Sequence, residues 1–189
     1  MFQIPLQESL YCIEDSNILL INGVIDNSMS DYFTRMIIEK NVKDPPEKRP
    51  DNIKVFINSP GGVVADCFCM IDIMNAYPIP IWTYGLGMIA SCGLMLFLSG
   101  EKGNRHIFKN TSILSHQWSG VTEGKEHEII AQARENKLIS SRIYKIYENA
   151  TGLTKEEIHK NLLPPEDKWL SPSEAVKFGL ADKVITSIK

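Results

Sequence analysis

Ile53-Lys54-Val55-Phe56-Ile57-Asn58-Ser59-Pro60-Gly61-Gly62 is the stretch on which the fold turns. Residues 53–57 are dense in branched and aromatic side chains, which pack well on a pleated surface, so they read as a strand. Asn58-Ser59-Pro60 breaks it, and Gly61-Gly62 opens a helix that runs to about Ala76. Two glycines in a row remove the Cβ atoms that would keep another backbone away, and a helix start carries N–H groups without intrahelical partners. An anionic oxygen could sit there. The turn alone decides little, because a Gly-Gly turn is ordinarily only a turn and the Gly-Lys-Ser/Thr of a phosphate loop is absent.

Outward from this stretch the pattern alternates. Residues 18–24 (ILLINGV) form a short apolar run closed by turn residues, hence a buried strand. Residues 28–40 carry Tyr32, Phe33, Met36 and Ile37 at helical spacing, with Ser30 a candidate cap, and residues 44–51 form a Pro-rich charged loop. Residues 80–84 read as a strand, 88–98 as an almost wholly apolar buried helix, and 105–108 and 112–115 as short strands. Strand–helix alternation with right-handed crossovers gives an α/β core. Residues 123–150 are the longest helical candidate, with Ile129, Ala133, Ile139, Ile143, Ile146 and Ala150 in a broken apolar stripe. That length exceeds what a small core covers, so part of the stripe is expected against another subunit. Gly152 ends the helix, Thr154 caps the next with Glu157 three residues on, and a helix at 171–178 and a strand at 183–186 close the chain.

The 189 residues, 43% hydrophobic and 23% charged, fit one globular domain and exclude disorder, collagen and coiled coil. Twenty basic against 23 acidic side chains, well mixed, leave a net charge of −3 and no polycationic face for nucleic acid or anionic lipid. Gln3, Pro5, Gln7 and Glu8 stand where an export signal would have a basic flank and apolar core, and no apolar run is long enough to span a membrane. The expectation is a cytoplasmic protein. Four cysteines (Cys12, Cys67, Cys69, Cys92) are expected as free, buried thiols of a reduced compartment. Cys67 and Cys69, two apart on a helix, point away from each other, and no metal or organic cofactor is expected.

Two further features carry chemistry. Gly87-Met88-Ile89-Ala90-Ser91-Cys92-Gly93 places one hydroxyl at a strand-to-helix turn among small and apolar residues. Ser91 there is either a helix cap or a nucleophile presented with the next N–H, that of Cys92, aimed at an oxyanion. His116 follows the strand at 112–115 and would project near the same sheet edge. A serine hydroxyl needs a base, and a base needs an acid to fix its tautomer. Asp167 is the candidate acid; by spacing, Glu166 or Asp182 would serve nearly as well.

With these residues assembled, the chain resembles the ClpP family, the proteolytic subunits of the Clp protease, from about Tyr11 to Ile185. The resemblance rests on Ile57-Asn58-Ser59-Pro60-Gly61-Gly62, Ala90-Ser91-Cys92-Gly93, Ser115-His116-Gln117 and Asp167-Lys168-Trp169-Leu170-Ser171, followed by Glu174-Ala175 and Phe178-Gly179-Leu180-Ala181-Asp182. It implies an α/β superhelix of ββα units with a protruding handle helix, residues 123–150. Ser91 is then the nucleophile, His116 the general base and Asp167 the orienting acid, with the Gly62 and Cys92 N–H groups as oxyanion hole. Gly61, Val63, Trp118, Ser119 and Gly120 would line the substrate groove. The family further implies two stacked seven-membered rings around a proteolytic chamber, a polypeptide substrate, and docking of a hexameric AAA+ unfoldase.

Trp118 stands where the family usually has proline and Val121 where a second glycine is usual, and the loop at 162–166 is about two residues longer. About ten residues precede Tyr11, so a shorter axial gating segment is expected, which fits peptide entry without an unfoldase or the processing of viral capsid proteins. Rival readings are a Cys92 thiolate as nucleophile, a crotonase-type hydratase or isomerase, a Ser-Lys signal-peptide-peptidase-like enzyme, and a non-catalytic or partner-activated ring subunit. The crotonase chemistry needs a carboxylate pair beside Ser91, and none is evident. His116 argues against Ser-Lys chemistry.

Overall fold

The computed structural model describes residues 10–12, 16–43 and 45–188. A mixed sheet forms its spine. β1 (Leu10–Cys12) pairs antiparallel with β2 (Ile18–Asn22), and β2, β3 (Ile53–Ser59), β4 (Ile81–Ala90), β5 (Arg105–Phe108) and β8 (Lys183–Ile185) follow in parallel. On the side away from β3, β4 serves two neighbours: its first half pairs with β5, while Met88–Ala90 pairs with β6 (Ser112–Ser115). β7 (Lys168–Leu170) then lies antiparallel on β6. Helices α1 (Asn27–Val42), α2 (Val64–Ala76), α3 (Cys92–Leu98), α4 (Glu126–Thr151), α5 (Lys155–Asn161) and α6 (Pro172–Lys177) complete the α/β architecture.

β3 alternates inward and outward side chains along its length, with Ile53, Val55 and Ile57 fully buried. Every residue of α3 is buried, so it is the pillar of the core, as a helix apolar all round must be. α4 divides in two. Ile143, Tyr147 and Ala150 near its C-terminus pack inward, whereas Ile129, Ile130 and Leu138 remain 43%, 64% and 45% exposed. Gly152, in the left-handed region at φ 75°, ends it, and the Thr154–Glu157 and Ser171–Glu174 capping boxes start α5 and α6.

Some local expectations are corrected. The apolar run at 88–98 is not one helix: Met88–Ala90 continues β4, because its backbone is claimed by Ser59 of β3 and by β6, and the helix begins only at Cys92. Periodicity cannot separate a buried strand from a buried helix in such a run. The glycine pair does not itself begin α2. Ile25 N–H donates to Gly61 O and Val63 N–H to Ile25 O, so residues 61–63 are held alongside Ile25 before the helix begins. α1 is capped by Asp26, which accepts from Met29 N–H, while Ser30 is buried and donates to Asp66 O. Cys69 is exposed, contrary to the expectation of buried thiols; Cys67 and Cys92 are buried. The segment before β1 and the Cys12 side chain lie outside the described residues. No helix among the described residues is long and apolar enough to cross a membrane.

Candidate active site

Ser91 stands between β4 and α3 with φ 54° and ψ −122°. It is the one non-glycine residue at positive φ among the described residues, a strained conformation that persists only where the surroundings over-determine it. They do so here. Ser91 N–H donates to Leu114 O of β6 at 3.1 Å, and Ser91 O accepts from Met95 N–H at 3.1 Å within α3. As N-cap, Ser91 makes no side-chain cap hydrogen bond, so the hydroxyl is not spent on the helix.

Gly61 faces it at contact distance, and Gly62 is packed against Ile25. A Cβ on Gly61 would lie 2.8 Å from Ser91 Cβ, 2.9 Å from Ala90 O and 3.0 Å from Cys92 N, and Gly61 itself has φ +97°. A Cβ on Gly62 would meet Ile25 O at 2.0 Å. Among the described residues neither the Gly62 nor the Cys92 N–H donates to a backbone or side-chain acceptor. The Cys92 N–H, next to Ser91, and the Gly62 N–H, one residue beyond the glycine packed against Ser91, are therefore free donors.

Asn58 holds this arrangement, a role that its place in a turn does not reveal. Its Oδ1 accepts from Met88 N–H at 3.0 Å, and its Nδ2 donates to Asn22 Oδ1 at 2.7 Å, tying the second half of β4 to β2 and β3. Gly87 must lack a side chain, since a Cβ would sit 2.5 Å from that oxygen. The signal was present as Asn58 beside a glycine-containing run, but only the register of β4 gives it meaning.

His116 follows β6 and is three-quarters buried on its side chain; its Nδ1 lies 3.6 Å from Asp167 Oδ1, and Asp167 is 61% exposed. That separation is too long for a hydrogen bond. His116 Nε2 is buried without a partner, so it does not bond the Ser91 hydroxyl. Of the three candidate acids, Asp167 alone pairs with the imidazole: Asp182 binds the Arg105 guanidinium at 2.6 Å, and Glu166 is exposed and makes no ion pair with His116 among the described residues.

Around His116 a buried polar anchor fixes the backbone. Ser115 Oγ and Tyr147 Oη are 2.8 Å apart, and Ser115 Oγ also donates to Leu162 O, while Gln117 Nε2 donates to Leu163 O at 3.0 Å. These bonds tie the end of β6 to α4 and to the loop that leads to Asp167. Burial drives the Tyr147 phenol far above its ordinary value, so it stays a neutral hydroxyl. Trp118 Nε1 donates to Ser140 Oγ at 3.0 Å, and a cavity of about 110 Å³ lies between Trp118, Ile143, Tyr144, His159 and Leu163. Val63, Ser119 and Gly120 are exposed. Among the described residues no cluster of three or more His, Cys, Asp or Glu could hold a metal ion.

The fold is that of a protein of the ClpP type, and the comparisons with known proteins agree. The family model for Clp protease matches residues 7–188, and the chain belongs to that family. It is similar to the ATP-dependent Clp protease proteolytic subunit 3 of Rhizobium meliloti (strain 1021), 36% identical over 138 residues, which are 73% of this chain and 70% of that protein.

Proposed function

We propose that the chain is a serine endopeptidase that cleaves unfolded proteins or peptides by acyl transfer within a self-assembled, cytoplasmic chamber. The observation that carries this reading is Ser91 itself, a strained, uncapped serine at a strand-to-helix elbow with two free N–H donors beside it. His116 takes the hydroxyl proton as Ser91 attacks the scissile carbonyl. The Gly62 and Cys92 N–H groups hold the oxyanion, and Asp167 orients the imidazole. His116 then returns its proton to the leaving amine, and water, activated by His116, releases the acyl group. Gly61, Val63, Trp118, Ser119 and Gly120 border the groove in which an extended substrate would lie.

The exposed first half of α4 supports assembly: Ile129, Ile130 and Leu138 are apolar surface that a ring–ring contact would cover, and two stacked heptamers are the form this family implies. A second reading is favoured by a specific observation. His116 Nε2 has no partner and the His116–Asp167 gap is 3.6 Å, which is the geometry of a resting subunit whose triad closes on assembly or on docking of an AAA+ unfoldase.

Size-exclusion chromatography with light scattering, coupled to cleavage of a fluorogenic peptide and fluorophosphonate labelling of each fraction, tests both. Activity and labelling confined to a large particle and abolished by Ser91→Ala support the compartmentalised peptidase. Residual turnover comparable to the unaltered chain in Ser91→Ala refutes the nucleophile assignment, and an unlabelled large particle favours the partner-activated subunit.

A further inference from the structure

Behind Ser91 lies a pair of thiols that acyl transfer does not use. Cys67 sits in the first turn of α2, its N–H donating to Val63 O at 3.0 Å, and Cys92 is the first residue of α3. Where the two helices meet, Cys67 Sγ donates to Cys92 O at 3.3 Å and Cys92 Sγ donates to Gly62 O at 3.3 Å. Both residues are fully buried. Cys69, two positions on, is exposed and turns towards Thr34, 3.8 Å away, outside this seam.

The two sulfurs are inequivalent. A hydrogen bond with Cys92, burial and the neighbouring charge hold the Cys67 thiol well above its ordinary value. Cys92 is lowered, first by its hydrogen bond with Cys67 and then, against the opposing effect of burial, by the Gly62 backbone and the Ser91 side chain beside it. Of the two, Cys92 ionises first, and the thiolate is the reactive form.

We infer that Cys67 and Cys92 are a redox modification site, at which a hydroperoxide oxidises the pair to a disulfide that disables Ser91. The Cys92 sulfur attacks the terminal peroxide oxygen, the O–O bond breaks, and the departing oxygen takes a proton, leaving Cys92 as a sulfenic acid. The Cys67 sulfur then attacks the Cys92 sulfur; its thiol proton and the expelled hydroxyl leave as water. Two thiols lose two electrons and the peroxide gains them. Burial restricts the oxidant to a small neutral molecule that enters as the helix seam opens locally.

The consequence for Ser91 follows from the packing. A bond of about 2.05 Å between the sulfurs cannot coexist with both S–H···O contacts, so Cys92 leaves Gly62 O and Cys67 leaves Cys92 O. No slack absorbs the movement, because the Gly61 backbone is packed directly against Ser91 Cβ and Cys92 N. The Cys92 N–H and the strained Ser91 are displaced with the Cys92 side chain. This coupling rests on the peptidase reading; the disulfide itself does not.

The test uses the full chain with Cys12→Ser and Cys69→Ser, leaving Cys67 and Cys92 as its only thiols. Hydrogen peroxide is added, and thiol titration, intact mass, fluorophosphonate labelling and peptide cleavage are followed together. Both thiols should vanish together with a mass loss of about 2 Da. Labelling and cleavage should fall about 100-fold, as when an oxyanion donor is lost, and return with dithiothreitol. Adding Cys67→Ala, which lies outside the acyl-transfer machinery, should leave starting activity unchanged and abolish the 2 Da loss, peroxide now adding about 16 Da as the Cys92 sulfenic acid. Two thiols still titratable after peroxide overturn the site. The 2 Da loss with undiminished labelling overturns its coupling to Ser91. A chain that never cleaves peptide refutes the peptidase reading alone, since titration and mass still decide the disulfide.

Discussion

Replacing Ser91 by glycine and, separately, by alanine isolates the backbone strain at the elbow from the chemistry. Both variants lack the hydroxyl and both should lose peptide cleavage, but only alanine retains a Cβ at φ 54°, ψ −122°. An L-residue in a sparsely populated region of this kind costs about 1–3 kcal/mol, which glycine does not incur. Glycine loses roughly 0.5–1 kcal/mol more backbone entropy than alanine on folding, which offsets part of that relief. The balance leaves Ser91→Gly more stable than Ser91→Ala by about 1 kcal/mol, or roughly 2–4 °C in midpoint for a domain of this length. Thermal unfolding of both proteins at one protomer concentration measures it, the concentration being matched because assembly contributes to apparent stability. Equal midpoints, or a glycine variant that melts first, would mean that the elbow stores no strain and that its conformation is merely tolerated.

Asp167→Asn should reduce kcat by several powers of ten, about 10⁴ where such an acid fixes the base tautomer, while Glu166→Gln stays near the unaltered value; the reverse order moves the acid to Glu166. At Asp182, burial pushes the pKa up, but hydrogen bonds from the Arg105 side chain and backbone, the Arg105 charge and the Gly103 N–H outweigh it and hold the carboxyl below its ordinary 3.8. Its stabilisation is complete above that pH and is lost as pH falls through the folded value. Asp182→Asn should therefore cost about 3 kcal/mol near neutrality in urea unfolding, because buried Arg105 loses its counter-ion, with the deficit shrinking below about pH 4. Ser115→Ala should cost about 1–3 kcal/mol by stranding the Tyr147 hydroxyl in the core, and adding Tyr147→Phe should recover part of it in a double-mutant cycle; strict additivity would mean the pair is uncoupled.

The site was legible where its chemistry is carried by residue type and local order, and illegible where it depends on register. Gly61-Gly62, Ser91 and His116 each announce a backbone or side-chain requirement within a few residues, and Asp167 is distinguished from Asp182 only once Arg105 is seen to occupy the latter. The run at 88–98 misled for a physical reason. Its residues are apolar but for Ser91 because both β6 and the core press on them, and a chain buried on nearly every side loses the periodicity that separates strand from helix. The break falls at Ser91 because β4 exhausts its partners at Ala90, where Leu114 of β6 still accepts from Ser91 N–H and the next N–H groups find nothing. The strand's last hydrogen bond and the helix's first unpaired donors thus meet at one residue. Asn58 and the Ser115–Tyr147 pair escaped for the same reason: Asn58 reaches 30 residues forward to Met88, and Ser115 reaches 32 to Tyr147 and 47 to Leu162. Such long reaches leave no local pattern. They nevertheless fix how close His116 comes to Asp167, so control of the 3.6 Å gap lies in contacts that only the folded chain brings together.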